Sequence, residues 1–222
     1  HALVLGGSGG LGRSIARALA ATGTNVRVHG RTPAKVDEAV QEMRALGAVP
    51  DGLCYDFMDD DGCVRSPGSW PISELLAGPV DILVVAFGPF AQKKLEQHGA
   101  ADWAEMALLN LALPGAIVSA AVPAMRNKGF GRIMLFGSAG TDEVRGYRKV
   151  GAYASAKTGL AVLARSIDPG DADICCTLVC PGYVQTEYYG DSLVRKLTMR
   201  YGRLPQSDDT AARLMPYLTA GD

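Results

Sequence analysis

Cysteine is scarce and poorly spaced for a scaffold. The five present, Cys54, Cys63, Cys175, Cys176 and Cys180, are odd in number and contain no Cys-x-x-Cys pair. That excludes a disulfide framework of the kind small secreted domains use, and the thiols are expected to be buried and reduced in strands. Only three histidines occur, none at ligand spacing, so no metal site is expected. Neither sign of charge dominates: the formal net charge is -1, and nothing global recruits nucleic acid or an anionic membrane. No apolar run reaches the ~20 residues a membrane span needs. The start, His1-Ala2-Leu3-Val4, reads as strand without a basic leader, and a cytoplasmic location is the expectation. Internal repeats, low-complexity linkers and composition breaks are also missing, so a single domain over residues 1–222 is expected.

What is present is an ordinary globular composition, 48% hydrophobic over 222 residues, long enough to bury roughly 70% of the unfolded surface. Short apolar runs alternate with helical patterns. Strands are expected at Ala2–Leu5, Val26–His29, Ile82–Ala86, Arg132–Phe136 and Cys175–Val179, with a weaker one at Leu53–Tyr55. Leu11, Ile15, Ala18 and Leu19 mark one helix face that Gly23 stops, and Thr32 caps a helix carrying Pro33 first and ending before Gly47. Further helices are expected at about Asp102–Met125 and at Gly151–Ser166, while Asp59–Pro71 and Asp168–Asp173 look irregular. Continuously apolar strands alternating with helices imply an α/β fold, a doubly wound parallel sheet of the Rossmann type with helices on both faces.

After the first strand comes Gly6-Gly7-Ser8-Gly9-Gly10-Leu11-Gly12, leading straight into a helix. Glycine lets backbone N–H groups approach a pyrophosphate, and the helix N-terminus adds partial positive charge. Gly6, Ser8, Gly10, Leu11 and Gly12 are therefore candidate cofactor contacts; a flexible turn is the plainer reading. The second strand ends His29-Gly30-Arg31, without the acid that holds the ribose hydroxyls of NAD. Arg31 is positioned to pair with a 2′-phosphate, which favours NADP, or else it is a solvated surface cation. Asp56 either accepts from the adenine amino group or serves as a turn residue.

Tyr153 and Lys157 stand at i and i+4 in Gly151-Ala152-Tyr153-Ala154-Ser155-Ala156-Lys157, on one helix face. Ser138 follows the strand ending Leu135-Phe136-Gly137, where strand ends face a ligand crevice. Hydride addition to a carbonyl leaves an oxygen that needs a proton, and a free tyrosine near pKa 10 is sluggish at neutral pH. Lowering it by about 3 units takes ~4 kcal/mol, which one ammonium at ~4 Å supplies at an effective dielectric near 20. Lys157 is the expected cation, and Ser138 the oxyanion-type donor.

These residues resemble the short-chain dehydrogenases/reductases, of the 3-oxoacyl-carrier-protein reductase type. Gly6, Gly10 and Gly12 match the family's Gly-x-x-x-Gly-x-Gly loop, Asn110 its helix asparagine, and Ser138, Tyr153 and Lys157 its catalytic serine, tyrosine and lysine. Pro181-Gly182-Tyr183-Val184-Gln185-Thr186 matches its Pro-Gly-x-Val-x-Thr segment, so Pro181, Gly182, Val184 and Thr186 join the cofactor contacts. The resemblance implies that Lys157 holds the nicotinamide ribose, that Asn110 places a water joining Lys157 to solvent, and that two helices pair across a two-fold axis. Asn110 near Pro114 reads equally as a helix bend. The chain departs from the pattern at Leu5, where a threonine is usual, and at Val85-Ala86-Phe87-Gly88, where Asn-Asn-Ala-Gly is usual. Ser138 and Tyr153 lie fifteen positions apart, a little more than usual.

The expected activity is hydride transfer between NADP(H) and a carbonyl or alcohol. The alternatives are a carbon–carbon double-bond (enoyl) reductase and a catalytically silent NADP(H)-binding regulator; retention of Ser138, Tyr153 and Lys157 argues against the latter. Thr186–Arg203 is expected to be the substrate lid. Its Tyr188, Tyr189, Arg195, Lys196, Arg200, Tyr201 and Arg203 suit an acidic or carrier-bound substrate, or else a solvated helix face. Apolar residues around much of Asp102–Met125 and Gly151–Ser166 imply a homodimer or homotetramer.

Overall fold

A computed structural model of the chain describes residues 1–167 and 173–219. Six strands, β1 (Ala2–Leu5), β2 (Val26–Gly30), β3 (Asp51–Cys54), β4 (Ile82–Val85), β5 (Gly131–Phe136) and β6 (Ile174–Val179), form one sheet in the order β3-β2-β1-β4-β5-β6. Every pairing is parallel, and β1 lies between β2 and β4. Strand order reverses there, so a crevice opens beyond the carboxyl ends of β1 and β4.

The strands alternate sides at period two, which divides the core into two layers. Ala2 and Val4 of β1 face one layer with Ile15, Leu19 and Met43, under α1 (Gly10–Ala21) and α2 (Pro33–Ala45). Leu3 and Leu5 face the other, with Leu109, Leu113, Ile117 and Leu160. That second layer is covered by α3 (Ile72–Leu75), α4 (Ala100–Ala107), α5 (Leu113–Lys128) and α6 (Gly151–Arg165). Beyond β6 lie α7 (Asp191–Tyr201), α8 (Ser207–Leu214) and α9 (Pro216–Thr219), and α8 packs on α1.

Several expectations need correction. The weak third strand starts two residues earlier than read, at Asp51, because Arg27 and Asp51 pair across to β2. Thr32 stands at the α2 N-cap, but its side chain makes no capping bond. The irregular stretch after Asp59 does contain a 3₁₀ turn, Pro67–Ser69, and an isolated bridge between Met58 and Val64. The other irregular stretch, at 168–173, falls mainly outside the described residues. The long helix is interrupted: between α4 and α5 the chain winds as a π turn, Leu108–Ala112. Its span Ala100–Lys128 is long and apolar enough to cross a membrane by length and composition, an 18-residue window within it having a mean hydropathy of 1.7, contrary to expectation. The apolar run is broken by Asn110, Pro114 and Gly115 without any charge, so the mean stays high, and 44% of that window is buried within the protein. The cysteines are free, but Cys54, Cys63 and Cys175 are exposed rather than buried. Cys54 and Cys175 lie on β3 and β6, the two edge strands, which are the least covered.

Candidate active site

The crevice holds a cavity of about 590 Å³, lined by the loops after β1, β2, β3 and β4, the Tyr153–Lys157 face of α6, and residues 181–189. On its floor Gly6 and Gly10 adopt left-handed φ values of 73° and 52°, conformations that a side chain disfavours. A Cβ on Gly12 would collide with the Gly6 carbonyl, and one on Gly30 with the Ser8 hydroxyl. The backbone therefore closes tightly against the start of α1, and Ser8 is buried beneath it. Gly6, Ser8, Gly10 and Leu11 all border the cavity, whereas Gly12 shapes it from behind. A pyrophosphate fits such a cradle: backbone donors at a helix N-terminus, on glycines that have no side chain of their own to intrude. One carboxylate already uses it. Gly10 N–H donates to Glu187 Oε1 at 2.7 Å.

Arg31 is exposed at the cavity edge, at the end of β2. Asp56 also borders the cavity, and its Oδ1 accepts from Met58 N at 3.0 Å. It is thus a turn residue on the crevice wall. Pro181, Gly182, Val184 and Thr186 line the opposite wall.

Lys157 is buried, only 4% exposed, and its ammonium donates to the Phe136 carbonyl at 2.8 Å. Burial drives its pKa down to about 8. Its Nζ lies 5.8 Å from the centre of the Tyr153 ring. Tyr153 shares a hydrogen bond with Ser138, and Phe90 packs edge-on against it at 5.0 Å. Ser138 is held in turn by Thr141, whose Oγ1 accepts from Ser138 N at 2.8 Å. Asn110 sits in the π turn, fully buried; its Nδ2 donates to the Pro89 carbonyl at 3.1 Å. Its Oδ1 has no hydrogen-bond partner among the described residues. A Cβ on Gly88 would meet both Asn110 Oδ1 and Lys157 Nζ, so these two groups flank one glycine. The four residues singled out from the sequence are brought together.

Their electrostatics differ from expectation. Tyr153 has its pKa raised, not lowered: desolvation is the largest cause, and the Ser138 hydrogen bond only partly opposes it. The Lys157 ammonium, 5.8 Å from the ring centre and donating to the Phe136 carbonyl, is not among the groups that lower it. Two neighbours went unnoticed in the sequence. Glu187 is one. His29, a polar residue following Val28 in β2 just before Gly30-Arg31, is the other, and that placement was its signal.

The short chain dehydrogenase family pattern matches residues 1–194. The chain belongs to the short chain dehydrogenase family. It is 32% identical, over 91% of its length and 80% of the relative's, to a Bacillus subtilis (strain 168) protein named only as an oxidoreductase, YtkK. It is 30% identical to the acetoacetyl-CoA reductase of Allochromatium vinosum, over 100% of this chain and 91% of that one. A crystal structure of a 3-oxoacyl (acyl-carrier-protein) reductase from Agrobacterium tumefaciens C58 with NADP bound superposes with a TM-score of 0.84. That likeness covers 98% of this chain and 86% of the other at 26% identity. This short chain dehydrogenase is therefore an oxidoreductase that moves a hydride between a nicotinamide dinucleotide and a carbonyl or alcohol.

Proposed function

We propose that the chain is an NADP(H)-dependent carbonyl reductase or alcohol dehydrogenase in which Tyr153 is the acid/base. The observation that carries this reading is the grouping of Tyr153, Ser138 and a buried Lys157 at one end of the crevice. The dinucleotide, when bound, supplies or takes the hydride. Ser138 donates a hydrogen bond to the substrate oxygen and stabilises the charge that grows there. Tyr153 passes its phenolic proton to that oxygen in reduction and takes it back in oxidation. Burial keeps the phenol protonated at neutral pH, which suits the donor. Lys157 holds the ribose and returns a proton toward the phenol. Asn110, with its unpartnered buried Oδ1 beside the same glycine, anchors the water through which Lys157 reaches solvent.

Arg31, exposed at the crevice edge with no acid at the end of β2, supports NADP over NAD. Asp56 faces the adenine end, and Pro181, Gly182, Val184 and Thr186 close over the nicotinamide end. The rest of the reading is one domain, 1–222, with Thr186–Arg203 as its lid. Arg195, Lys196, Arg200 and Arg203 are exposed there, which supports a ketone on an acidic or phosphate-bearing carrier; acyl thioesters are also named among the relatives' substrates. Exposed Trp103 on α4 and Val162 on α6, the latter 69% accessible, support a homodimer or homotetramer. Five unpaired thiols suit a reducing, cytoplasmic compartment, with no nucleic acid or membrane as partner.

The test is Tyr153→Phe, assayed by NADPH absorbance on a panel of 3-oxoacyl thioesters and simple ketones. Turnover should fall 10²–10⁴-fold while NADP⁺ binding survives. Near-normal turnover by the variant on a confirmed substrate refutes the role of Tyr153.

A further inference from the structure

We propose that His29 is a positioning residue for dinucleotide binding, holding the Gly6 peptide so that the glycine loop keeps its N–H groups toward the crevice. The inference rests on the dinucleotide reading of that crevice. His29 sits near the end of β2 and is 1% exposed. Its Nε2 lies 3.0 Å from the Tyr55 carbonyl, which can only accept, so Nε2 carries the proton and donates. The neutral ring then leaves Nδ1 bare, and Gly6 N–H donates to it at 3.5 Å. One imidazole on β2 thus links the turns that follow its two neighbours in the sheet, β1 and β3.

The ring is also fixed by packing. Phe57 lies 5.4 Å from it, tilted, and reaches across to Phe87 after β4 at 5.6 Å. At the ends of β1 and β4, Leu5, Val85 and Ala86 offer no polar side chain that could do the same work. Gly6 leaves no slack: a Cβ there would stand 2.8 Å from the Ala86 carbonyl, so any rotation of its peptide disturbs the floor of the cradle. Burial keeps the ring neutral at ordinary pH, its pKa brought down to about 4, with Asp56 the charged group that partly opposes this. A protonated ring would set an N–H against Gly6 N–H and lose the link.

The experiment compares wild type, His29→Leu and His29→Asn by NADP⁺ and NAD⁺ titration and by steady-state kinetics. Leucine fills the space without an acceptor, and asparagine returns one near the Nδ1 position. His29→Leu should raise Kd and the KM for the dinucleotide about tenfold, with kcat and the carbonyl-substrate KM within about twofold. His29→Asn should recover binding to within about threefold of wild type. A purely structural role would lower the amount of folded protein without this split or this rescue. If His29→Leu does not fold, long-range ¹H–¹⁵N spectra of wild type decide: a bare Nδ1 and protonated Nε2 support the proposal, and a protonated Nδ1 overturns it. Unchanged dinucleotide affinity in folded His29→Leu overturns it as well. Wild type that binds neither dinucleotide removes the dinucleotide reading and this proposal together.

Discussion

Lys157→Met should make the protein more stable while removing its activity. The wild-type ammonium is buried at 4% exposure, and its pKa stands at about 8 against 10.5 for an ordinary lysine. At pH 7 both folded and unfolded chains carry the charge, so the folded state bears the cost of desolvating it. The fall from 10.5 to about 8 is worth roughly 3 kcal/mol. Against this, methionine leaves the Phe136 carbonyl without its 2.8 Å donor, a loss of about 1–2 kcal/mol. The net gain is about 2 kcal/mol, or about 4–8 °C in Tm for a chain of this size. The gain depends on pH. Between pH 8 and 10.5 the unfolded wild type holds the proton that the folded form has released, so wild-type stability climbs through that window. The two proteins should therefore be equally stable near pH 9.5, with wild type the more stable above it. The Cys176 thiol, pushed up to about 12 by burial, titrates in both and cancels in the comparison. Thermal unfolding at pH 7, 8.5 and 10, at equal protein concentration, reads the effect. A variant no more stable than wild type at pH 7, or a gain that persists unchanged at pH 10, refutes a desolvated Lys157.

Arg31→Ala should weaken NADP⁺ binding at least tenfold, ~1.4 kcal/mol, while NAD⁺ binding stays within about twofold; fluorescence titration of both cofactors checks it. Glu187→Gln should tighten NADP⁺ binding by about threefold to tenfold, because the carboxylate 2.7 Å from Gly10 N–H competes with a phosphate for that donor and repels it. Equal affinity in isothermal titration would discard the competition. Light scattering at micromolar concentration should give the mass of a dimer or tetramer, and Val162→Asp on the exposed face of α6 should shift it toward monomer.

Local pattern carries the elements of this protein. Val4, Leu83 and Met134 lie in apolar runs that have no other use than strands covered on both faces, and the strands of such runs follow with ends moved by at most one residue; only the weak, exposed β3 starts two residues early. The phosphate cradle is equally local, because Gly6 to Gly12 meet the helix start within a few bonds of each other. Tyr153 and Lys157 are four residues apart, so helix geometry alone sets them on one face.

Burial and long-range pairing are properties of the assembled chain, and those the tertiary structure decided. The phenol of Tyr153 is pushed up rather than down because the protein around it excludes water, which no spacing records. Glu187 meets Gly10 from 177 positions away, and His29 meets Gly6 from 23. The π turn at Leu108–Ala112 arises within a stretch whose sequence reads as helix, bent at most near Pro114, and it buries Asn110 completely. Cys54 and Cys175 look like core thiols until the strand order puts β3 and β6 at the edges. A side chain's dielectric surroundings and its distant partners come from how layers pack, whereas periodicity reports only which face of its own element it occupies.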